Sequence, residues 1–299
     1  MSRGFDIAVI EAVVLVLFGG AAYREWRRSP RAALLLGVAC AYGLGLEILN
    51  MYVFGTYAYH ADFVRLFGAP LVIGPMWALI LLSSMRLSDC LGVAAWARPL
   101  ADGALCVLID LGMDAVAIRL EYWRWNIPLD AGFYGVPADN LFAWICVGVC
   151  FSICARFAWR RKRAAALLLA APAAYVLLLG AFVANGVFLR VTGLDGEDDR
   201  LLVFWVALSA CALCTSLFRS ERWMGRVPSN PWLAVTRLAV HAYFLAAFFA
   251  LRLHREFPSL LAIAVVAVAV ELAVHVWARQ LRGPSDRRRL AGGVLDARV

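Results

Sequence analysis

The sequence is organised around the segment from Cys106 to Trp144, which reads C-V-L-I-D-L-G-M-D-A-V-A-I-R-L-E-Y-W-R-W-N-I-P-L-D-A-G-F-Y-G-V-P-A-D-N-L-F-A-W. It opens inside an apolar run that holds Asp110 and Asp114, whose four-residue spacing puts both carboxyl groups on one face of a helix. Glu121 follows Asp114 by seven residues and is expected to continue the same face. Because ionisable side chains inside a membrane helix are energetically costly, these acids predict a functional site.

The rest of the chain has the composition of an integral membrane protein. Of its 299 residues, 63% are hydrophobic, whereas a soluble domain is nearer half apolar. Apolar runs of about twenty residues, long enough to cross a bilayer, recur along the whole chain. We therefore predict an all-α fold, a polytopic integral membrane helical bundle of about nine transmembrane helices. The predicted helices cover residues 5–23, 32–54, 69–88, 100–120, 138–157, 165–189, 201–218, 232–252 and 259–279.

The charges of the loops predict the orientation of the bundle. Positive loops face the cytoplasm, so we predict that the N-terminus lies outside and the C-terminus inside, in a multi-pass protein of a bacterial or archaeal inner (cell) membrane. Residues 1–283 are expected to form a single transmembrane helical domain and residues 284–299 a polar cytoplasmic tail. The net charge of +8 resides mainly in short loops, so it does not indicate a nucleic acid partner. The charged loops are Arg24, Arg27, Arg28 and Arg31, residues 156–163, the acidic residues 195–199, and Arg219, Arg222 and Arg226.

The eight cysteines indicate neither a disulfide framework nor a metal site. Most lie within apolar runs, where a small thiol side chain packs like other apolar groups. Cys211 and Cys214 have the C-x-x-C spacing of redox and metal motifs, but no second pair accompanies them. No group of His, Asp and Glu residues has the spacing of a metal site, so we predict neither a metal nor a cofactor.

Further polar side chains are expected to meet the two aspartates in the outer half of the membrane. Glu47 and Asn50 share a face near the outer end of the second predicted helix, and Asn140 begins the fifth. Two simpler explanations stay open, because asparagines also link membrane helices and aromatic residues also form interfacial belts. The aromatic residues that could form such a belt are Tyr57, Tyr59, Trp123 and Trp125.

The last four predicted helices carry polar residues of a different kind. Glu271 and His275 are four residues apart, so we expect them to pair with each other in a structural role. We expect His241 to be a packed histidine, and Asn185 is the remaining intramembrane polar residue of this part.

Taken in order, the motifs of residues 40–150 resemble one known family. They are E-x-x-N from Glu47, G-x-Y-x-Y from Gly55, P-x-W-A from Pro75, D-x-x-x-D from Asp110, W-x-W from Trp123, Y-G-V-P from Tyr134 and N-x-x-x-W from Asn140. The set is similar to the carotenoid-biosynthesis membrane proteins, a family that includes carotenoid 1,2-hydratases of the bisanhydrobacterioruberin and γ-carotene type. The resemblance implies a cofactor-independent hydro-lyase that adds water to the terminal ψ-end double bond of an acyclic or monocyclic carotenoid.

The chemistry of the acids agrees with that implication. Protonation of the alkene at C-2 creates a tertiary cation at C-1, which water then captures. Burial and a neighbouring carboxylate both favour the protonated form of a carboxyl group, so Asp110, Asp114 or Glu47 could supply the proton while an ionised carboxylate orients the water. We expect a polyene-shaped tunnel among the second to fifth predicted helices, open sideways to lipid. Its predicted substrate-binding residues are Asn50, Tyr57, Tyr59, Trp77, Glu121, Trp123, Trp125, Tyr134, Asn140 and Trp144.

Other functions fit part of the same pattern. A carotenoid cyclase or isomerase begins with the same protonation. A membrane prenyltransferase also carries D-x-x-x-D, but it needs two aspartate-rich sites for magnesium and diphosphate, and this chain has one. A lipid or small-molecule transporter with an intramembrane acid relay is the non-enzyme alternative. A carotenoid and membrane lipid are the expected partners, and a homo-oligomer or association with other carotenoid-pathway enzymes is left open.

Overall fold

The computed structural model describes residues 3–218 and 230–280 and consists mostly of helices, which confirms the predicted fold class. Nine long helices in these residues correspond to the nine predicted runs. Arg219, Arg222, Arg226 and the predicted tail, residues 284–299, lie outside the described residues. The helices are α1 (Arg3–Arg28), α2 (Pro30–Leu49), α3 (Ile73–Cys90), α4 (Arg98–Ala117), α5 (Ala138–Arg160), α6 (Ala164–Leu168), α7 (Ala170–Thr192), α8 (Glu197–Leu217), α9 (Pro231–Ala250), α10 (Leu253–Glu256) and α11 (Pro258–Gln280).

Within the described residues, seven of the long helices are long and apolar enough to cross a membrane. The other two are α3 and α4, whose charged and polar side chains lower their hydropathy. These two helices are also the most enclosed, since most of their residues are buried against neighbouring helices. The chain is thus a multi-pass helical membrane protein, and the count of nine spans and the orientation of the N-terminus stay predictions.

The helix α2 has a well-defined start and an unusual end. Ser29 caps its N-terminus by accepting a hydrogen bond from the backbone N–H of Ala32 at 3.1 Å, and Pro30 occupies the first turn. Beyond Leu49 the chain continues as a π-helical turn over Asn50–Phe54. Gly55 ends this turn with a φ of 59°, in the left-handed region that favours glycine. Isolated π-helical turns are rare and occur frequently at functional sites.

Two pairs of short strands interrupt the helical pattern. Strand β1 (Tyr57–Tyr59) pairs antiparallel with β4 (Trp123–Trp125), and β2 (Arg65–Leu66) pairs with β3 (Ala69–Pro70). The sequence did not reveal these strands, because two or three residues are too short to show an alternating pattern. In the β1–β4 pair, Tyr57 lies opposite Trp125 and Tyr59 lies opposite Trp123.

The helix α4 ends at Ala117, earlier than the sequence suggested. The expectation that Glu121 continues the face of Asp110 and Asp114 is therefore wrong. A tight turn follows Ala117, and Glu121 adopts a φ of 60° within it. This reversal is what delivers β4 directly to β1.

Close helix packing positions an indole beside the acids. The helix α2 packs against α3, and α4 packs against α5. A Cβ added at Gly43 of α2 would lie 2.1 Å from Cβ of Trp77 on α3, so only glycine permits this approach. The contact fixes Trp77 between α2 and α3, within reach of the carboxyl group of Glu47.

A buried ion pair fastens α9 and α11 to the middle of the bundle. Arg237 of α9 is 0% exposed and donates to both carboxyl oxygens of Glu271 on α11, each at 2.6 Å. It also donates to Oγ of Ser84 on α3 and to the carbonyl of Leu105 on α4. The predicted contact between Glu271 and His275 is present at 2.8 Å, but sequence reasoning missed Arg237, which is the main partner.

Candidate active site

Asp110 and Asp114 lie on one face of α4, fully enclosed by the bundle. Asp114 accepts three hydrogen bonds, which come from the indole N–H groups of Trp123 at 2.6 Å and Trp125 at 3.3 Å and from the amide of Asn140 at 2.7 Å. Both indoles reach Oδ1 and the amide reaches Oδ2, so each carboxyl oxygen has a donor. Hydrogen bonds from neutral donors favour the ionised form of a carboxyl group.

Asp110 has a different environment, although it lies only one turn away. Its Oδ2 accepts one long hydrogen bond, 3.4 Å, from the amide of Asn140. Its Oδ1 is buried and has no hydrogen-bond partner among the described residues. Because two negative charges side by side in an apolar environment repel each other, this arrangement suits a protonated Asp110 beside an ionised Asp114. Within the described part of the chain, neither aspartate forms an ion pair with a cationic side chain.

Glu47 forms a second carboxyl centre in the same region. It accepts hydrogen bonds from the indole of Trp77 at 2.7 Å, from the hydroxyl of Tyr59 at 2.8 Å and from the hydroxyl of Tyr57. Burial raises the pKa of the Tyr57 and Tyr59 hydroxyls well above its usual value, and the charge of Glu47 raises it further. Both phenols therefore stay protonated and act as donors, which makes Glu47 a satisfied carboxylate.

Aromatic rings surround these carboxyl groups. The rings of Trp77 and Trp144 lie 4.3 Å apart between centroids. Tyr57 meets Trp125 edge to face at 4.7 Å. Tyr59 meets Trp123 in the same way at 5.9 Å. The faces of such rings carry partial negative charge and attract a cation in an apolar setting.

These groups line one cavity of about 1420 Å³. The cavity exceeds the roughly 300–1,000 Å³ of typical small-molecule sites. All the predicted site residues line it except Glu121 and Tyr134. The predicted residues that it brings together are Glu47, Asn50, Tyr57, Tyr59, Trp77, Asp110, Asp114, Trp123, Trp125, Asn140 and Trp144.

Glu121 and Tyr134 lie away from the cavity wall. Glu121 is exposed in the turn after α4. The hydroxyl of Tyr134 hydrogen-bonds to that of Ser259 at 2.7 Å, and its ring meets Phe257 at 5.7 Å between centroids. Tyr134 thus connects the loop before α5 to the start of α11.

The structure adds wall residues that sequence reasoning placed outside the site. α7 contributes a long face that includes Tyr175, Phe182 and Asn185, and α9 contributes Val240 and Tyr243. The sequence offered one signal for α7, which is the polar residue Asn185 within an apolar run. Nothing comparable marks Val240, because an aliphatic residue in a membrane helix has no distinguishing feature.

The site combines two neighbouring buried carboxyl groups, which differ in their hydrogen bonds, with a largely apolar cavity. In the described residues, no group of three or more His, Cys, Asp or Glu side chains could hold a metal ion. All eight cysteines are free thiols. The arrangement is suited to protonating an apolar substrate and to holding a water molecule between a carboxylate and an amide.

Comparison with known proteins gives the chemical context of this site. A family described as "Carotenoid biosynthesis protein" matches residues 5–195, which include every group that surrounds the acids. A 127-residue region is 27% identical to bisanhydrobacterioruberin hydratase of Haloarcula japonica. That region covers 40% of this chain and 42% of the relative, so the match spans less than half of either protein. No solved structure matches the chain.

Proposed function

Since the chain belongs to the carotenoid biosynthesis protein family, we propose that it is a carotenoid-modifying enzyme and, specifically, a carotenoid 1,2-hydratase. The reaction adds one water molecule across the terminal ψ-end double bond of an acyclic or monocyclic carotenoid. The observation that carries this proposal is the unequal pair of buried aspartates, since Asp114 accepts three hydrogen bonds whereas Asp110 accepts one long hydrogen bond and has an Oδ1 without a partner. The name of the partial relative from Haloarcula japonica supports the same reaction class.

In the proposed reaction Asp110 is the general acid. Its proton goes to C-2 of the terminal double bond, and the π electrons form the new C–H bond, which leaves a tertiary cation at C-1. Water held by Asp114 and Asn140 attacks C-1, and Asp114 accepts the proton that the water loses. Transfer of a proton from Asp114 to the neighbouring Asp110 restores the starting state, so no proton is consumed beyond those of the added water.

The surrounding groups assist without exchanging protons. The rings of Trp123, Trp125 and Trp77 stabilise the positive charge that develops at C-1. Glu47 adds negative charge to the same cavity and orients Tyr57 and Tyr59. Since Glu47 already accepts three hydrogen bonds, we assign it a positioning and electrostatic role and assign the proton to Asp110.

Cyclisation and isomerisation start from the same protonation and differ only in the fate of the cation. The polar pair Asp114 and Asn140 beside Asp110 favours water capture, because a cyclase gains from excluding water at this point. The products differ in mass, since a hydrated carotenoid gains one water molecule while a cyclised or isomerised one keeps the mass of the substrate.

The test uses the purified full-length chain in nanodiscs with lycopene or γ-carotene as substrate. Mass spectrometry should find a product one water heavier, and reaction in H₂¹⁸O should place the label in that product. A product of unchanged mass would show that the enzyme cyclises or isomerises its substrate and does not hydrate it. If neither polyene reacts, the proposed substrate class is wrong.

A further inference from the structure

We infer that the polyene chain of the substrate lies along α7 and reaches the acids through a sideways opening between α7 and the π-helical turn of α2. We call this gap the α7 opening; its edges are Asn50, Val53 and Phe54 of the π-helical turn and the face of α7 from Leu179 to Arg190. The inference rests on the proposed function for the identity of its occupant, a long apolar polyene. It adds the route, the direction of the chain and the residues that control both.

The first argument is the length of the α7 wall. The lining residues of α7 begin at Tyr175 and end at Arg190. Fifteen steps along a helix at 1.5 Å each give a wall about 22 Å long. Most of it is apolar, with Val176, Leu179 and Phe182 on successive turns. A rigid, rod-shaped polyene needs an apolar groove of this kind, because its conjugated chain does not fold back.

The opposite side of the cavity is much shorter. There the lining residues run from Val9 to Leu17 on α1, about 12 Å, and from Ala239 to Phe244 on α9, about 8 Å. The helices α1 and α9 pack against each other, whereas α7 packs against α2 and α5, so the two sides flank the acids. A hydrogen bond between the hydroxyls of Tyr122 and Tyr243 crosses the short side. This side is too short for the polyene and fits the two methyl groups that C-1 carries.

The second argument is the way in which α2 ends. Below the opening, α2 and α7 are tightly joined, because Tyr175 donates to the carbonyl of Tyr42 and leaves room only for glycine at position 45. Above that contact, α2 changes to the wider π-helical turn and then reverses at Gly55. Apolar side chains on both edges face outward, such as Val53 at 61% and Leu179 at 59% exposure. An opening with apolar edges at this level admits a substrate from lipid without passage through water.

Two glycines of α7 allow a matched test. Gly186 lines the cavity, whereas Gly180 of the same helix does not. A Cβ atom added at either position meets no other atom within 4 Å, so neither substitution begins with a clash. Gly186→Trp should fill the α7 opening, and Gly180→Trp should add the same volume toward lipid. Gly186→Ala gives a graded version of the change.

The expected readouts are polyene binding and turnover, measured separately in nanodiscs. Binding is measured from the visible absorption of the lycopene that stays with the protein after incubation with excess lycopene. Size-exclusion chromatography checks the folded fraction of each variant. Gly186→Trp should weaken binding and lower kcat/KM by about tenfold or more, roughly 1.4 kcal/mol. Gly186→Ala should have an intermediate effect, and Gly180→Trp should match the wild type in both measurements.

A second matched pair tests the other side of the cavity. Val13 of α1 lines it, while Val16 of the same helix is exposed and does not. If the inference holds, Val13→Trp narrows the side that the polyene does not occupy, so it should lower lycopene binding and kcat/KM less than Gly186→Trp does. Equal binding and turnover by Gly186→Trp and the wild type would overturn the inference. Loss of lycopene binding by Val13→Trp alone would place the polyene between α1 and α9. A wild-type protein that binds no polyene would instead refute the proposed function itself.

Discussion

Two buried acidic clusters in this protein are held in opposite ways. Glu271 lies in an apolar helix and is neutralised by Arg237, whose guanidinium donates to both of its oxygens. Asp110 and Asp114 lie equally deep, yet in the described residues no cation contacts them and one oxygen of Asp110 lacks a partner. A fold that needed only stability would satisfy every buried charge, as it does around Glu271. The comparison separates a structural acid from acids available for chemistry.

The largest effect is expected at Asp110 and Asp114, the two acids that no cation neutralises in the described residues. Asp110→Asn and Asp114→Asn should each lower the hydration rate by about 10²–10⁴-fold, because the amide keeps the shape but cannot transfer a proton. The yield of folded protein should stay near that of the wild type. Single-turnover kinetics with lycopene and chromatography of the detergent-solubilised protein measure the two quantities. Near-normal turnover in both variants would show that the aspartate pair is structural, as Glu271 is.

The second effect is expected at the satisfied acid and concerns stability. Arg237→Met leaves Glu271 buried without its cation and should destabilise the fold by about 3–5 kcal/mol. The double variant Arg237→Met with Glu271→Leu removes both charges and should recover most of that loss. Thermal unfolding in detergent gives the order of the three proteins. A double variant no more stable than the single one would show that the pair does more than compensate charge.

Glu47 provides an intermediate case, because it is satisfied by neutral donors instead of a cation. Glu47→Gln should lower kcat/KM by about 10- to 150-fold, since one charge-assisted hydrogen bond is worth about 1.5–3 kcal/mol. This loss is smaller than that expected for Asp110→Asn. The measurement is steady-state turnover of the two variants side by side in one membrane preparation. A greater loss in Glu47→Gln would move the role of proton donor from Asp110 to Glu47.

The smallest effect is expected at His275. Its hydrogen bond to Glu271 supplements the two from Arg237, so His275→Gln should cost about 0.5–1.5 kcal/mol of stability. Hydration activity should not change, since His275 does not line the cavity. Thermal unfolding and turnover measured together check both statements. A large drop in activity would show that the ion pair of Glu271 affects the aspartate pair, and it would contradict the view that the two sites act independently.

The sequence predicted what depends on local pattern. Apolar runs of about twenty residues located the long helices, and the four-residue spacing of Asp110 and Asp114 placed both on one face. The prediction that these acids lie near Glu47 and Asn140 followed from the alternating directions of successive membrane helices. Hydrophobic periodicity predicts secondary structure best in segments of about eleven residues or more, which is why the long helices were found.

What the sequence did not reveal depends on contacts between distant segments. Arg237 meets Glu271 across 34 positions and Ser84 across 153, so no local pattern connects them. The early end of α4 depends on the turn that brings β4 to β1, which excluded Glu121 from the predicted face. The wall formed by α7 depends on how an apolar helix packs, and its sequence resembles that of any lipid-facing span.

The pairing of β1 with β4 imposes a rule on how this protein can evolve. Tyr57 and Tyr59 of one strand reach Glu47, while Trp123 and Trp125 of the other reach Asp114. A one-residue insertion before either strand would shift the pairing and turn its aromatic side chains to the opposite face. Loops usually accept insertions more readily than helices do. Here six residues outside the helices hold two carboxyl centres in register, so homologous loops should vary in composition far more than in length.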